Sequence, residues 1–122
     1  MLLNVMRYLL AGAFSKTVPL IRFLSHNIVD NAKLIVYDGI NKCSWNGGRI
    51  NRDVYYKDSL IDFYYSKGIS IALTFSNHNI DLTDPLGNEL LEKFHREGNA
   101  LIIVNDDLRA YVRKNFPKYD LI

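Results

Sequence analysis

The sequence predicts an α/β fold: an N-terminal helix followed by repeated βα units, with a parallel sheet of about four strands. Short apolar runs of strand length recur roughly every thirty to thirty-five residues, the size of one βα unit. Helical patterns with start and stop signals lie between these runs. No linker rich in Pro, Gly or Ser divides the 122 residues. We therefore expect one domain over 1–122, helical in 1–31 and built of βα units in 32–122, resembling an incomplete, half TIM barrel.

The composition is that of an ordinary globular protein. Hydrophobic residues make up 48% and charged residues 23% of the chain, which excludes disordered and collagen-like classes. The net charge is +2, and Lys and Arg are scattered, so no nucleic-acid partner is expected. The single cysteine cannot form an internal disulfide, and no N-x-[ST] acceptor is present. These features favour a cytoplasmic location.

The N-terminal segment is interpreted as a helix from Leu2 to about Leu24, broken or kinked near Pro19. Apolar residues on much of its surface favour packing against the core. A membrane-surface helix is the alternative, because basic residues could border an apolar face. No apolar run is long enough to span a membrane.

The segments beyond residue 32 predict the sheet. Apolar runs typical of strands buried on both faces are AKLIVYDG (32–39), ISIALTFS (69–76) and NALIIVN (99–105), and KYDLI (118–122) begins a fourth strand. Strands alternating with helices imply parallel pairing through right-handed crossovers.

Signals for helix ends lie between the strands. The first helix has its N-cap candidates at Lys57–Ser59 and a glycine suited to its end, Gly68. The second has Asp84 as N-cap and Pro85 at the first helical position, and we expect Gly98 to end it. The third begins with carboxylates and ends with basic residues, each complementing the helix dipole.

The chain ends on a strand, which has a consequence for assembly. Three and a half units cannot close an eight-stranded barrel, and an apolar edge strand invites pairing with another chain. We expect either that a homo-oligomer completes the sheet or that a C-terminal half is missing from this chain.

Polar residues follow each predicted strand, where ligands bind in parallel α/β folds. We predict an anion or polar small-molecule site there. Its candidate residues are Asp38, Asn41, Asn46, Gly47, Gly48, Arg49 and Asn51 after the first strand, Thr74, Ser76, Asn77, His78 and Asn79 after the second, and Asn105, Asp106 and Asp107 after the third.

Each of these features also has a structural interpretation. The adjacent glycines of NGGR could approach an anion and Arg49 could bind it, but the segment matches no phosphate-loop motif, so a tight turn is preferred and the cofactor is unknown. Asp38 is equally suited to be a general base, a ligand-hydroxyl acceptor or a turn residue. Helix capping explains Asp106 and Asp107 better than a divalent cation does.

The cysteine, tryptophan and histidines indicate no catalytic centre. Cys43 lacks an evident activating partner and is interpreted as a bystander thiol. Trp45 is interpreted as a hydrophobic anchor of its loop. The three histidines have no metal-ligand spacing, so no metal site is expected. His95 is predicted to lie on a helix and face solvent.

Three segments carry a family resemblance: YDGINKCSWNGGRINRD, ISIALTFSN and DPLGNELLEKFHREGNALIIVNDDLRAYVRKNFPKYDLI. They resemble an uncharacterised bacterial and phage-associated family, over about 34–122. Its fuller members are TIM-barrel-like and distantly similar to collagenase-like peptidases and radical-SAM-type barrels. The resemblance implies a barrel-like fold and longer relatives with a distant cysteine-containing segment. It implies no catalytic role for any residue here.

The sequence leaves three functional hypotheses and assigns no reaction. The first is the N-terminal portion of a TIM-barrel-like protein with a ligand site at the strand ends. The second is a non-enzymatic interaction module that assembles through its sheet edges. The third is a truncated product without independent activity.

Overall fold

The computed structural model describes residues 6–11, 32–40, 43–47 and 57–122. In these residues the chain forms five strands and three helices. In chain order they are β1 (Met6–Ala11), β2 (Ala32–Asp38), α1 (Asp58–Ser66), β3 (Ser70–Phe75), α2 (Pro85–Lys93), β4 (Ala100–Ile103), α3 (Asp106–Asn115) and β5 (Asp120–Leu121).

The five strands form one sheet in which every pairing is parallel and the spatial order equals the chain order, β1-β2-β3-β4-β5. This confirms the predicted α/β class. Crossovers between parallel strands are right-handed almost without exception. A sheet in which each crossover steps in the same direction therefore carries its helices on one face, as half of a barrel does.

The core lies between the sheet and this single helical layer. Alternate residues of β2, β3 and β4 pack with the buried faces of all three helices. The strand residues are Val36, Ile71, Leu73, Phe75, Leu101 and Ile103, and the helix residues are Ile61, Tyr64, Leu90, Leu91, Leu108 and Val112. The intervening residues Ile35, Ala72 and Ala100 are buried on the opposite face, which carries none of the described helices and which we call the helix-free face.

The expected N-terminal helix is wrong for residues 6–11, which form β1. These residues pair with β2 over its length, from Met6 opposite Ala32 to Ala11 opposite Tyr37. Leu, Met, Arg and Ala favour a helix in isolation, but a short apolar run has no decisive periodicity, and pairing with β2 satisfies the backbone groups facing it. The sheet thus has five strands instead of about four. The rest of the expected helix lies outside the described residues.

The helix-end signals were only partly correct. Gly68 lies two residues after Ser66, the last residue of α1, with a φ of 71°, as expected, whereas Lys57 occupies the N-cap without a side-chain capping bond. Helix α2 ends at Lys93, so Gly98, with a φ of 92°, shapes the turn before β4 instead of ending the helix. A glycine is suited to either place, because a helix end and a tight turn both favour a residue with positive φ.

The caps of α2 and α3 come from side chains that directly precede each helix. The Asp84 carboxylate accepts hydrogen bonds from the backbone N–H groups of Leu86 and Gly87, as predicted. Asn105, and not Asp106 or Asp107, caps α3, because its Oδ1 accepts from Leu108 N at 2.9 Å. The two aspartates lie in the first turn of α3, where the helix dipole favours negative charge.

A close contact between α2 and residue 45 depends on a glycine within the helix. A Cβ placed on Gly87 would lie 2.5 Å from Cδ2 and Cε2 of the Trp45 ring, far inside van der Waals contact. The missing side chain therefore allows the ring to lie directly against the helix backbone.

Gly87→Ala is expected to destabilise the protein by about 1–3 kcal/mol, because the added methyl group overlaps the fully buried Trp45 ring. In an exposed helix the same change stabilises by about 1 kcal/mol. A decrease in the free energy of unfolding would therefore identify the close contact with Trp45. Urea unfolding measures the effect.

Gly68→Ala is the comparison, because a Cβ there meets nothing within 4 Å and only the left-handed backbone is strained. In a Trp45→Leu background, which is itself destabilised, the additional penalty of Gly87→Ala should be smaller than in the wild type. A stabilised Gly87→Ala variant would contradict the packing described above.

Candidate functional site

Because the strands are parallel, their carboxyl ends lie along one edge of the sheet, which we call the rim. The rim holds the described part of the predicted site. These residues are Asp38, Asn46, Gly47, Thr74, Ser76, Asn77, His78, Asn79, Asn105, Asp106 and Asp107. The remaining predicted residues, Asn41, Gly48, Arg49 and Asn51, lie outside the described residues.

Trp45 anchors the short segment 43–47 to the rim. Its side chain is fully buried, its Nε1 donates to the carbonyl of Asp81 at 2.7 Å, and its ring meets Phe75 edge-on with 5.2 Å between centroids. These contacts confirm the predicted anchoring role. They also exclude Trp45 as a stacking surface for a ligand in this conformation, since no part of the ring reaches solvent.

The segment 43–47 and the loop after β3 form one packed unit. The backbone N–H of Asn77 donates to Trp45 O at 3.0 Å, and its Nδ2 donates to Ser44 O at 2.9 Å. Gly47 lies so close to Ser76 that an added Cβ would be 2.6 Å from both its carbonyl and its hydroxyl oxygen. Residues distant in sequence thus meet at the rim, as the parallel sheet predicted.

The asparagines at the rim serve largely to connect loops. Asn105 donates from Nδ2 to His78 O at 2.9 Å while its Oδ1 caps α3. The Oδ1 of Asn77 accepts from Asn79 N at 3.0 Å. The coincidence of asparagines with strand ends, which suggested a ligand site, is thus explained for Asn77 and Asn105 by bonds within the protein.

A polar cluster on the helix-free side of the rim is formed by Gly39, Asn46 and Thr74. A Cβ added to Gly39 would lie 2.9 Å from both Asn46 Oδ1 and Thr74 Oγ1. Asn46 Nδ2 donates to Ile40 O, whereas Asn46 Oδ1 is buried and accepts no hydrogen bond from any described residue. Thr74, half-buried, pairs in register with Ile102 of β4. The fold thus brings a buried carbonyl oxygen and a hydroxyl group together beside a glycine.

Asp38 lies next to this cluster in the chain but on the other face of the sheet. It is two residues beyond Val36, so its side chain shares the helix-facing side, where it is 4% exposed. Its Oδ1 accepts from Gly39 N at 2.9 Å, which supports the turn interpretation. Burial, together with the nearby Asp38 charge, raises the pKa of Tyr64 to about 12.

Cys43 is unsuited to act as a nucleophile. The side chain is 5% exposed, and burial raises the pKa of its thiol above the ordinary value, although bonds to the backbone of Trp45 and Asn46 partly offset this effect. The thiol is therefore protonated at neutral pH, in agreement with the bystander interpretation.

The carboxylates of the loop before α2 are stabilised in their charged forms. Asp81 Oδ1 accepts from Thr83 Oγ1 at 2.6 Å, and this bond lowers the pKa of Asp81. Asp84 accepts from the Ser44 hydroxyl, which lowers its pKa most, with further lowering from the backbone of α2. Within the residues that the structure describes, no group of three His, Cys, Asp or Glu side chains is arranged to bind a metal ion.

The sequence predicts that His95 lies on a helix and faces solvent, and this prediction is wrong. It follows α2, is half-buried, and its Nε2 accepts a hydrogen bond from Lys118 N at 3.1 Å. Its ring contacts those of Phe116 and Tyr119, with centroids 5.3 and 5.4 Å away. The helical pattern of Phe94 and its neighbours hid this contact, because its partner is 23 residues further along the chain.

Comparison with known proteins adds no functional assignment. No family model, curated protein or solved structure matches the chain. In the part of the chain that is described, no helix is long and apolar enough to cross a bilayer.

Asp84→Ala is expected to cost about 1–2 kcal/mol of unfolding free energy at pH 7, because it removes the N-cap of α2 together with the bond from Ser44. The pKa of Asp84 is lowered in the folded protein, so its stabilising effect is present above the ordinary carboxyl pKa and is lost as the pH falls through the folded-state value.

Urea unfolding at pH 7 and pH 3 should therefore show a smaller gap between wild type and Asp84→Ala at pH 3. The exposed helix residue Asp62, changed to Asn, provides the control and should show little effect at either pH. A gap that stays constant between the two pH values would contradict a role for the charge.

Proposed function

We propose that this chain forms the first βα units of a TIM-barrel-like protein and binds a small polar ligand at the rim. The single observation that carries the ligand site is the convergence of Gly39, Asn46 and Thr74 from β2, its following loop and β3. The consecutive parallel order and the single helical layer support the barrel-like part of the proposal. They are also what the family resemblance would require.

The chemistry of the cluster favours a neutral ligand that bears hydroxyl groups. Its side chains offer an amide carbonyl and a hydroxyl, both close to the backbone of Gly39, and none of the three residues carries a formal charge. Asn46 Oδ1 requires a donor, which a ligand hydroxyl supplies, whereas the unprotonated oxygens of an anion can only accept. An anion would instead need the glycine and arginine of NGGR, as the sequence suggested.

The location of the cluster also fits a binding site. In barrel-like folds, ligands bind at the carboxyl ends of the strands, on the side that becomes the mouth of the barrel. Gly39 directly follows β2 there and Thr74 lies on the neighbouring β3, and the packed loops 43–47 and 76–84 hold Asn46 in place without using its side-chain carbonyl oxygen. A site built on such fixed groups loses little entropy when a ligand binds.

Thr74→Val and Gly39→Ala are expected to weaken binding of a polyol probe at least tenfold. The first removes the hydroxyl with little change of shape, and the second displaces Asn46 and Thr74, because the added methyl group would lie 2.9 Å from both Asn46 Oδ1 and Thr74 Oγ1. Titration with D-ribose and glycerol, followed by the backbone NMR shifts of residues 39 and 74, measures this effect.

Ser66→Ala is the control, because Ser66 is exposed at the far end of α1. Inorganic phosphate is titrated in parallel to test the anion alternative. Shifts at the cluster with phosphate alone would reassign the ligand class, and an absence of shifts with every probe would count against the site.

A second candidate function, assembly through the sheet edge, is favoured by two exposed apolar side chains. Val104, which directly follows β4, is 46% exposed, and Ile122, which directly follows the edge strand β5, is 45% exposed. By alternation both share the helix-free face with Ile102. Large apolar residues at an open strand edge are typical of interfaces between chains.

If this edge assembles, Val104→Ser together with Ile122→Ser should convert a dimer to a monomer in light scattering, because the change removes the apolar contact without disturbing the helical layer. Leu82→Ser, a partly buried apolar position in a different loop, is the matched variant. A wild-type mass equal to one chain across the accessible concentration range would eliminate assembly as the function.

A further inference from the structure

We infer, on the basis of the ligand site proposed above, that the molecule bound at the rim is an amphiphile. Its hydroxyl-bearing part binds at the cluster of Gly39, Asn46 and Thr74, and its apolar part extends over Ile102 and Ile122. The sheet register carries this inference, because it places the polar cluster and these apolar side chains in one continuous row.

The row crosses four neighbouring strands on the helix-free side of the rim. Thr74 pairs in register with Ile102 of β4. Gly39 continues the register of β2 opposite Thr74, and a Cβ added to Gly39 would lie 2.9 Å from Thr74 Oγ1. Ile122 continues the register of β5 opposite Ile102, and its backbone N–H donates to Leu101 O at 2.9 Å. The row is therefore polar at the β2 end and apolar at the β5 end.

The polar end of the row requires a hydrogen-bond donor. Asn46 Oδ1 lies as close to the position of a Cβ on Gly39 as Thr74 Oγ1 does, at 2.9 Å. This oxygen is buried and accepts no hydrogen bond from any described residue. A ligand hydroxyl beside Thr74 supplies the donor and thereby fixes the polar part of the molecule at this end.

The apolar end of the row is open to solvent. Along β4 and the residue after its end, exposure increases toward the rim: Ala100 is 1% exposed, Ile102 is half-buried and Val104 is 46% exposed. Ile122, beside Ile102 in the row, is 45% exposed. None of these residues carries a charge, so an apolar group that covers them removes apolar surface from water without desolvating an ion.

The dimensions of the row favour a small molecule over a second copy of the chain. Neighbouring strands lie about 4.8 Å apart, so Thr74 and Ile122 are separated by about 10 Å, and Ile102 and Val104 by about 7 Å along their strand. The described apolar patch therefore covers on the order of 100 Å², whereas a stable interface buries about 800 Å² on each partner. Such a patch suits the apolar part of one ligand, and assembly of two chains would need additional surface.

The test compares methyl β-D-glucoside with n-octyl β-D-glucoside, which share a neutral head group rich in hydroxyls and differ only in the apolar chain. Both are titrated into the full chain below the critical micelle concentration of the octyl compound, and the backbone NMR shifts of Thr74 and Ile122 are followed. The octyl compound is expected to bind at least tenfold more tightly, the gain from burying about two methylene groups. It alone should shift Ile122, whereas both compounds should shift Thr74.

Two sets of variants separate the polar part of the row from the apolar part. Val104→Thr together with Ile122→Thr should leave the affinity for the methyl compound unchanged and abolish the preference for the octyl compound, since both side chains are exposed and their substitution spares the core. Thr74→Val should weaken both compounds by the same factor. Ala110→Ser, at an exposed position of α3 in the helical layer, is the control and should retain the wild-type preference.

Each alternative outcome has a distinct meaning. Equal affinity of the wild type for the two glucosides would overturn the amphiphilic class and leave the polar site in place, whereas no binding of either compound would overturn both proposals. A preference for the octyl compound that persists in the double variant would place the chain elsewhere and overturn the inference. Light scattering that shows a dimer in the wild type and a monomer in the double variant, without a preference for the octyl compound, would assign the patch to a second copy.

Discussion

The architecture depends on one constraint: each strand pairs in parallel with the next strand of the chain, always in the same direction. Right-handed crossovers then place all three described helices on one face and all carboxyl ends on one edge. If the order reversed at any strand, helices would occupy both faces, as in doubly wound folds. The proximity of Gly39 and Thr74, on which the proposed ligand site rests, follows directly from this pairing.

The rim shows how little of a polar loop is available for ligands. Asn77 and Asn105 hold neighbouring loops together, Asp84 caps a helix, and Trp45 fills the space against Gly87. These contacts use up most of the polar groups that made the loops resemble a site. The groups that remain form a compact cluster, whose geometry is determined by the contacts around it.

Several elements were predictable because their signals are local. The apolar runs 32–38, 70–75 and 100–103 are too short for helices and are bounded by polar residues, and Asp84–Pro85 marks a helix start through a specific backbone bond and a fixed φ. Parallel pairing followed from their alternation with helices. The burial of Trp45 was also predictable, since a lone large aromatic side chain beside a strand usually joins the core.

The sequence by itself determined the strand–helix alternation, the N-cap of α2 and the edge at which polar residues gather. Tertiary structure alone decided that residues 6–11 form a strand, that Asp38 faces the helical layer and that His95 meets Lys118. The strand at 6–11 depends on a partner strand more than twenty residues away. The positions of Asp38 and His95 depend on the sheet face or chain segment that each side chain contacts. Local propensity carries no information about such partners, because their energies arise only after distant segments have come together.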